Sequence, residues 1–321
     1  MRLADASAVG VSVPASTANL GPGFDAIGLA LGLWDDYEVR LTGDSLTIDV
    51  SGQGADQVPR DERHLVFRCL ARGLGRLGYD VPGGLHLTCT NRVPHSRGLG
   101  SSATAAVAGF ALASALDGLA RTGRPQLDKD FVNELAAQAE GHPDNSSASV
   151  FGGMTLSWSD DVTAVRGVHT AQVQVHPDVV PVVLVPDIEL STAAARAALP
   201  TDVPLKSAAW NAGRCALLVE AMTRRPHLLY PATRDWLHQE QRRIAYPVTM
   251  RVVDTMRSQG HAAVVSGAGP TVLVLTTTER AGEVALAAGR ATQEDGHAWR
   301  IFTPGVPERG VSAQSLQAPS L

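Results

Sequence analysis

The stretch "RGLGSSATAAVAGFALASALDGL", residues 97–119, most narrows what this chain can become. Two glycines one residue apart permit a left-handed or otherwise tight turn. Two serines follow, and then a run of small apolar residues without proline, which predicts a buried helix over 103–119. Just upstream, in the segment 84–93, Leu85, Leu87 and Cys89 alternate onto one face and predict a strand that stops near Thr90. The local order is strand, loop, glycine turn and buried helix.

Three chemistries compete for that turn. Gly98-Leu99-Gly100-Ser101-Ser102-Ala103 satisfies the form of a dinucleotide fingerprint, but that turn must follow its strand directly. Here seven residues, Pro94 among them, separate Gly98 from the predicted strand end at Thr90, so the turn is too long. Asp117 also falls inside the helix rather than at the end of a second strand. A P-loop needs Gly-Lys-Ser/Thr, and the only lysines, Lys129 and Lys206, do not follow glycine. The remaining functional reading is a different phosphate loop, in which successive N–H groups at a glycine turn and a helix N-terminus hold an anion. Arg97 would add positive charge, and Ser101 and Ser102 would offer hydroxyls to phosphate or Mg²⁺. A helix simply capped by Ser101 or Ser102 explains the same residues without a ligand, and the loop alone does not choose between these two.

Elsewhere strands are expected near 8–14, 26–42, 45–52, 154–158, 171–176, 180–186, 261–277 (as strand-turn-strand) and 297–302. Helices are expected over 63–79, 127–142 (with Asp128 as N-cap), 191–198, 205–222, 247–258 and 279–293. This interleaving predicts an α+β fold rather than a doubly wound sheet. It also predicts two domains, 1–160 and 161–303, and a Pro/Gly/Ser/Gln-rich disordered tail over 304–321. With 44% hydrophobic and 18% charged residues and a formal net charge of −5, nothing suggests a nucleic-acid or anionic-membrane footprint. Three scattered cysteines give no disulfide framework. The N-terminal residues lack a signal-peptide h-region and no window approaches an apolar span, so a cytoplasmic protein is expected.

"PHSRGLGSSATAA" (94–106) resembles the nucleotide motif of the GHMP kinases, the small-molecule kinases of galactose, homoserine, mevalonate and phosphomevalonate. "PASTANLGPGFDAIGLAL" (14–31) resembles the N-terminal motif of the homoserine kinases in that family. "SGAGPTVLVL" (266–275) resembles the family's third, glycine-rich motif, and the resemblance spans about residues 8–303. It implies a fold with a ribosomal protein S5 domain 2-like N-terminal half and a ferredoxin-like C-terminal half. It also implies ATP and Mg²⁺ as cofactors, a homodimer, and phosphorylation of the L-homoserine hydroxyl on the way to threonine.

The implied ATP site is Pro94, His95, Ser96, Arg97, Gly98, Leu99, Gly100, Ser101, Ser102, Ala103 and Thr104. "EGHPDN" (140–145) is similar to a homoserine kinase segment and implies Glu140, with Ser101, at the metal, with Glu134 as a competitor. The same segment implies His142 and Asn145 at the substrate. Asn145 stands where mevalonate-type relatives carry an aspartate base, so transfer without a conventional base is implied, with Asp144 as the other candidate base. Asn19 and Asp25 would meet the substrate's ammonium end; by themselves they are ordinary residues of a Gly-Pro-Gly turn. "STAAAR" (191–196) and "LHQEQR" (237–242) match family segments that imply Thr192, Arg196 and Arg242 at the substrate carboxylate. The implied catalytic set is Asn145, Glu140, Ser101 and Arg196. Where the family usually continues V-A-P after "PDN", this chain has Ser146-Ser147-Ala148. Other readings are a GHMP kinase of another small alcohol such as threonine, or a catalytically silent metabolite sensor. His64, His86 and His261 are read as structural.

Overall fold

Val9, Val11 and Val13 alternate along the first strand, β1 (Ala8–Asn19), and all three are buried in one core. In this computed structural model, which describes residues 3, 7–159, 167–190, 192–293 and 296–316 and only the backbone of Thr192 and Ala194, β1 turns directly into β2 (Gly23–Arg40). The polar, glycine-containing stretch after residue 14 is therefore one long hairpin rather than a loop. Its pairing shifts register between Pro14 and Ala15. Proline cannot donate to a ladder, and a bulge is one of the few places within a sheet that accepts it. Beyond that irregularity the hairpin leaves the first core, and Ala15, Ile27, Leu29 and Leu31 pack in a second. The tip of the hairpin, residues 19–25, is thereby delivered to the other half of the molecule.

β3 (Leu46–Gly52) and β4 (Leu85–Asn91) pair in parallel, joined by α1 (Leu65–Arg76). α2 (Ser101–Thr122), α3 (Lys129–Glu140) and α4 (Asp144–Phe151) precede β5 (Met154–Ser159) and β6 (Val168–Val173). Asp128 caps α3 as its position predicts, accepting from the Phe131 N–H at 3.0 Å. Among the described residues α2 alone is long and apolar enough to cross a membrane, and most of it is buried in the first core. α4 is not legible in its sequence, because Asp, Asn and Ser favour caps and turns. Its buried serines find tertiary partners instead: Ser147 Oγ donates to Asn133 Oδ1 at 2.8 Å, and Ser149 Oγ to Ser16 Oγ at 3.3 Å.

The second half contains β7 (Val179–Pro186), α5 (Thr192–Ala197), α6 (Leu205–Thr223), α7 (Leu229–Ala232), α8 (Pro247–Ser258), β8 (Ala262–Val265), β9 (Val272–Thr277), α9 (Ala281–Ala291) and β10 (Trp299–Phe302). Its strands form an antiparallel sheet in the order β10-β7-β9-β8, a ferredoxin-like β-α-β-β-α-β pattern with added helices. Alternation along β7 separates its two faces. Val182 and Leu184 meet α8 and α9, whereas Val179, Val183 and Val185 meet α6, α7 and the β1–β2 hairpin. The α+β expectation holds.

The expected disordered tail is corrected by the structure. After β10 the chain runs back across α4 and β5, with the Gly153 N–H donating to the Pro307 carbonyl (2.7 Å) and the Val311 N–H to that of Ser149 (2.8 Å). β11 (Ser312–Ser315) then pairs antiparallel with β1. An open strand edge offers backbone partners to any extended segment, so no apolar pattern was needed. The expected boundary at 160/161 lies outside the described residues, as do residues 317–321.

Candidate active site

Gly98 and Gly100 both adopt left-handed conformations, with φ of 73° and 71°. Gly100 is the N-cap of α2, and no side chain caps the helix, so the simple capped-helix reading fails. The helix's first N–H groups lack intrahelical partners and open onto a cleft of about 370 Å³ that Gly98, Gly100, Ser101 and Ser102 help line. A side chain at Gly98 would strike the Ser266 carbonyl, and one at Gly100 would strike Ser16 Oγ. This closeness is used by hydrogen bonds. Ser266 Oγ donates to the Gly98 carbonyl at 2.6 Å and shares a hydrogen bond with Thr17 Oγ1 at 2.8 Å. The Ser16 N–H donates to the Leu99 carbonyl at 3.2 Å, and Asn145 Oδ1 accepts from Ser16 Oγ at 3.1 Å. The three widely separated glycine-bearing segments thus meet at one place.

The residues expected at ATP divide into two layers. Ser96, Arg97, Gly98, Gly100, Ser101 and Ser102 line the cleft. Pro94, Leu99, Ala103 and Thr104 are buried beneath it, so their part is to shape the loop. Arg97 is not a free cation for phosphate: its guanidinium donates to the carbonyls of His95, Pro186 and Asp187 and to Glu189 Oε1 at 2.8–3.1 Å. It straps the loop to the end of β7. His95 lines an adjoining pocket of about 260 Å³, together with Tyr37, Val58, His64, Asn91 and Ser101. There His64 Nδ1 and Asn91 Oδ1 are buried without a hydrogen-bond partner among the described residues. Sequence reading missed this pocket because its walls come from scattered elements with no shared spacing, and His64 carried no local signal.

Ser102 Oγ, not Ser101, reaches Glu140, donating to Oε1 at 2.7 Å. Burial raises the Glu140 pKa, opposed by that hydrogen bond and the nearby His142. Glu134 instead accepts from Gln138 Nε2 at 3.0 Å and does not line the cleft. Next to Glu140, His142 Nδ1 lies 2.7 Å from Asp144 Oδ1, which also accepts the Asn145 N–H at 2.8 Å. Burial disfavours a charged His142, but the hydrogen bond and charge of Asp144 outweigh it and the pKa is raised.

The far end of the cleft is built for charge. Asp25, at φ 55°, receives Arg196 in a bidentate pair, with N···O distances of 2.7 and 3.1 Å. Arg242 is 2% exposed; its Nε donates to the Ala195 carbonyl at 3.0 Å, and its guanidinium lies 5.3 Å from the Phe24 ring centre. Burial lowers its pKa, and among the described residues no carboxylate stands within ion-pair distance of it. Asn19 lines this end, but its amide is committed to backbone: Nδ2 donates to the Gly267 carbonyl (3.0 Å) and Oδ1 accepts the Asp25 N–H (3.0 Å). It holds the hairpin tip to the third glycine segment. Thr192 opens α5, and its side chain lies outside the described residues.

Residues 64–153 match the family model of the GHMP kinase N-terminal domain, and 211–294 that of the GHMP kinase C-terminal domain. Homoserine kinase of Streptomyces avermitilis is 47% identical, over 98% of both chains. That of Streptomyces coelicolor is 49% identical, over 98% of this chain and 97% of the other. The chain belongs to the homoserine kinase family. A crystal structure of homoserine kinase from Cytophaga hutchinsonii superposes with a TM-score of 0.81 at 25% identity, covering 96% of this chain and 98% of that one. A mevalonate diphosphate decarboxylase from Staphylococcus aureus also superposes, with a TM-score of 0.65 at 16% identity over 96% and 98% of the two chains. That second likeness concerns the fold alone, because one GHMP fold hosts different chemistries.

Proposed function

We propose that the protein transfers the γ-phosphoryl group of ATP to the side-chain hydroxyl of L-homoserine, giving O-phospho-L-homoserine for threonine biosynthesis. The observation that carries this reading is Arg242, a buried guanidinium in the cleft wall with no carboxylate partner among the described residues. An unpaired buried charge is costly, and an α-carboxylate is its natural complement. The Asp25–Arg196 pair beside it matches a zwitterion: a bound amino acid offers its ammonium to Asp25 and its carboxylate to Arg196 and Arg242.

The triphosphate takes the N–H groups of residues 98–102 and the start of α2, with the base in the adjoining pocket. His64 Nδ1 and Asn91 Oδ1 are the unsatisfied polar atoms there that a purine edge would meet. Glu140 and Ser102 present the hard oxygen donors that suit Mg²⁺, whose charge would offset that of the phosphates. This replaces Ser101 by Ser102 in the expected metal pair.

The substrate oxygen attacks the γ-phosphorus as the bond to the β,γ-bridging oxygen breaks, and ADP leaves. With its Oδ1 engaged by Ser16, Asn145 offers Nδ2 as a donor to orient the hydroxyl. Asn145 cannot take the proton. Asp144 Oδ1 already holds His142 and the Asn145 N–H, and in this reading the hydroxyl proton passes to a phosphate oxygen. Positioning and charge carry most of phosphoryl transfer, which tolerates the missing base.

The test is ADP release with homoserine, threonine, serine, mevalonate and galactose as acceptors, with the product identified by mass. Turnover of homoserine with a mass gain of one phosphoryl group is expected. Turnover of another acceptor without homoserine would overturn the substrate assignment, and binding without turnover would make the protein a sensor.

A further inference from the structure

Four residues before Arg242, His238 is completely buried, and the mechanism above gives it no task. Its Nε2 lies 2.8 Å from the Gly21 carbonyl in the hairpin tip, and its Nδ1 lies 3.4 Å from Arg242 NH1. A carbonyl only accepts and a guanidinium only donates. Nε2 must therefore carry the proton, and Nδ1 must present its lone pair to the arginine. Asp235 Oδ1, 3.7 Å from Nε2, favours the same tautomer. Phe24 stacks on the imidazole with ring centres 5.2 Å apart, and Arg242 lies over that same Phe24.

The short segment around His238 is itself anchored. Asp235 accepts the N–H groups of Leu237, His238 and Gln239 at 2.8–3.0 Å. Gln239 Oε1 accepts the Val265 N–H at 2.7 Å, next to the third glycine segment. The imidazole thus stands on a platform tied to both the hairpin tip and that segment. Such fixing matters for Arg242, because a long side chain with one backbone carbonyl as partner among the described residues has rotamer freedom to lose on binding.

We propose that His238 is a positioning residue for substrate recognition: a neutral imidazole, protonated on Nε2, whose Nδ1 aims the Arg242 guanidinium at the substrate carboxylate. The proposal rests on the reading of Arg242 as the carboxylate clamp. His238 touches no substrate atom and acts only through the arginine and Phe24.

Two isosteric substitutions separate its two hydrogen bonds. His238→Asn keeps an acceptor near the Nδ1 position, whereas His238→Gln keeps a donor near Nε2 and loses the acceptor facing Arg242. With L-homoserine, His238→Gln should raise KM about tenfold, with the KM for ATP unchanged, and His238→Asn should stay within about threefold of the parent. With 3-aminopropan-1-ol, which is homoserine without its carboxylate, all three proteins should have the same KM. A loss in His238→Gln that is equal for both acceptors, or that extends to ATP, would mean a merely structural residue and overturn the proposal. So would His238→Asn performing no better than His238→Gln. Nitrogen-15 NMR of the imidazole in the unmodified protein is independent of any variant's folding; an Nδ1-protonated ring would also overturn it. A homoserine KM left unchanged by Arg242→Met would remove the clamp reading itself.

Discussion

Gly98→Ala should damage both folding and nucleotide use, and Gly123→Ala provides the internal control. Both glycines are left-handed, with φ of 73° and 74°. Gly123, the C-cap of α2, has nothing among the described residues within 4 Å of where a Cβ would sit. Alanine there incurs only the backbone cost, about 1–2 kcal/mol. At Gly98 the same cost is joined by overlap with the Ser266 carbonyl and approach to the Gly269 carbonyl at 2.8 Å. Both are backbone atoms of the third glycine segment, which cannot swing aside as a side chain can. Overpacking of this kind adds about 1–3 kcal/mol. Gly98→Ala should therefore destabilise by about 2–5 kcal/mol, and its melting temperature should fall roughly twice as far as that of Gly123→Ala or more. Relief of the clash must stretch the 2.6 Å bond from Ser266 Oγ to the Gly98 carbonyl and move the phosphate loop. A displacement near 1 Å should lower kcat/KM for ATP by about a hundredfold. Differential scanning calorimetry and a coupled ADP assay on both variants decide the matter. Equal melting temperatures and ATP kinetics would refute the interlocking of the two glycine segments.

Arg196→Ala should raise the homoserine KM about ten- to a hundredfold, the scale of a charge-assisted contact, and leave the ATP KM unchanged; equal changes in both would remove Arg196 from the substrate site. Asp144→Asn should lower kcat by about tenfold or less, by loosening His142, whereas a loss of 10²–10⁴ with a shifted pH–rate profile would identify Asp144 as the base after all. Asp35 is buried, and desolvation raises its pKa despite hydrogen bonds from Val93, Arg92, Tyr37 and Thr104. An acid with a raised folded-state pKa contributes stability below its unfolded pKa that is lost as pH rises through the folded one. The stability of Asp35→Asn relative to the parent should thus be greatest at pH 7 and decline toward pH 4 in urea titrations; a flat difference would contradict the burial argument.

The phosphate loop and α2 were legible because Gly98, Gly100 and the following alanines each satisfy a local rule, a positive φ or a buried helix face. α4 and β11 were not. Ser147 and Ser149 lie in a helix because distant groups satisfy their hydroxyls, and Ser312–Ser315 is a strand because β1 offers an edge. Within the cleft, residue types were legible and partners were not. Asn19 and Arg97 have the chemistry to meet ligands, yet backbone groups brought in by the fold occupy their polar atoms. Arg242 shows the reverse case. What marks it out is the lack of an acid partner among the described residues, which only three-dimensional packing can reveal.

The bonds that close the cleft join chain positions made at very different times. Asn19 to Gly267 spans 248 residues, and Ser266 to Gly98 spans 168. Domains emerge from the ribosome N-terminus first. A nascent chain that has been made through β6 already carries the phosphate loop, but not the carbonyls and hydroxyl that hold it. The hairpin tip likewise waits for Gly267, and the outer edge of β1 waits for residues 312–315. The phosphate loop therefore gains its support only once residues 266–269 have been made, and a chain stopped before them carries the first two glycine segments with the loop unheld.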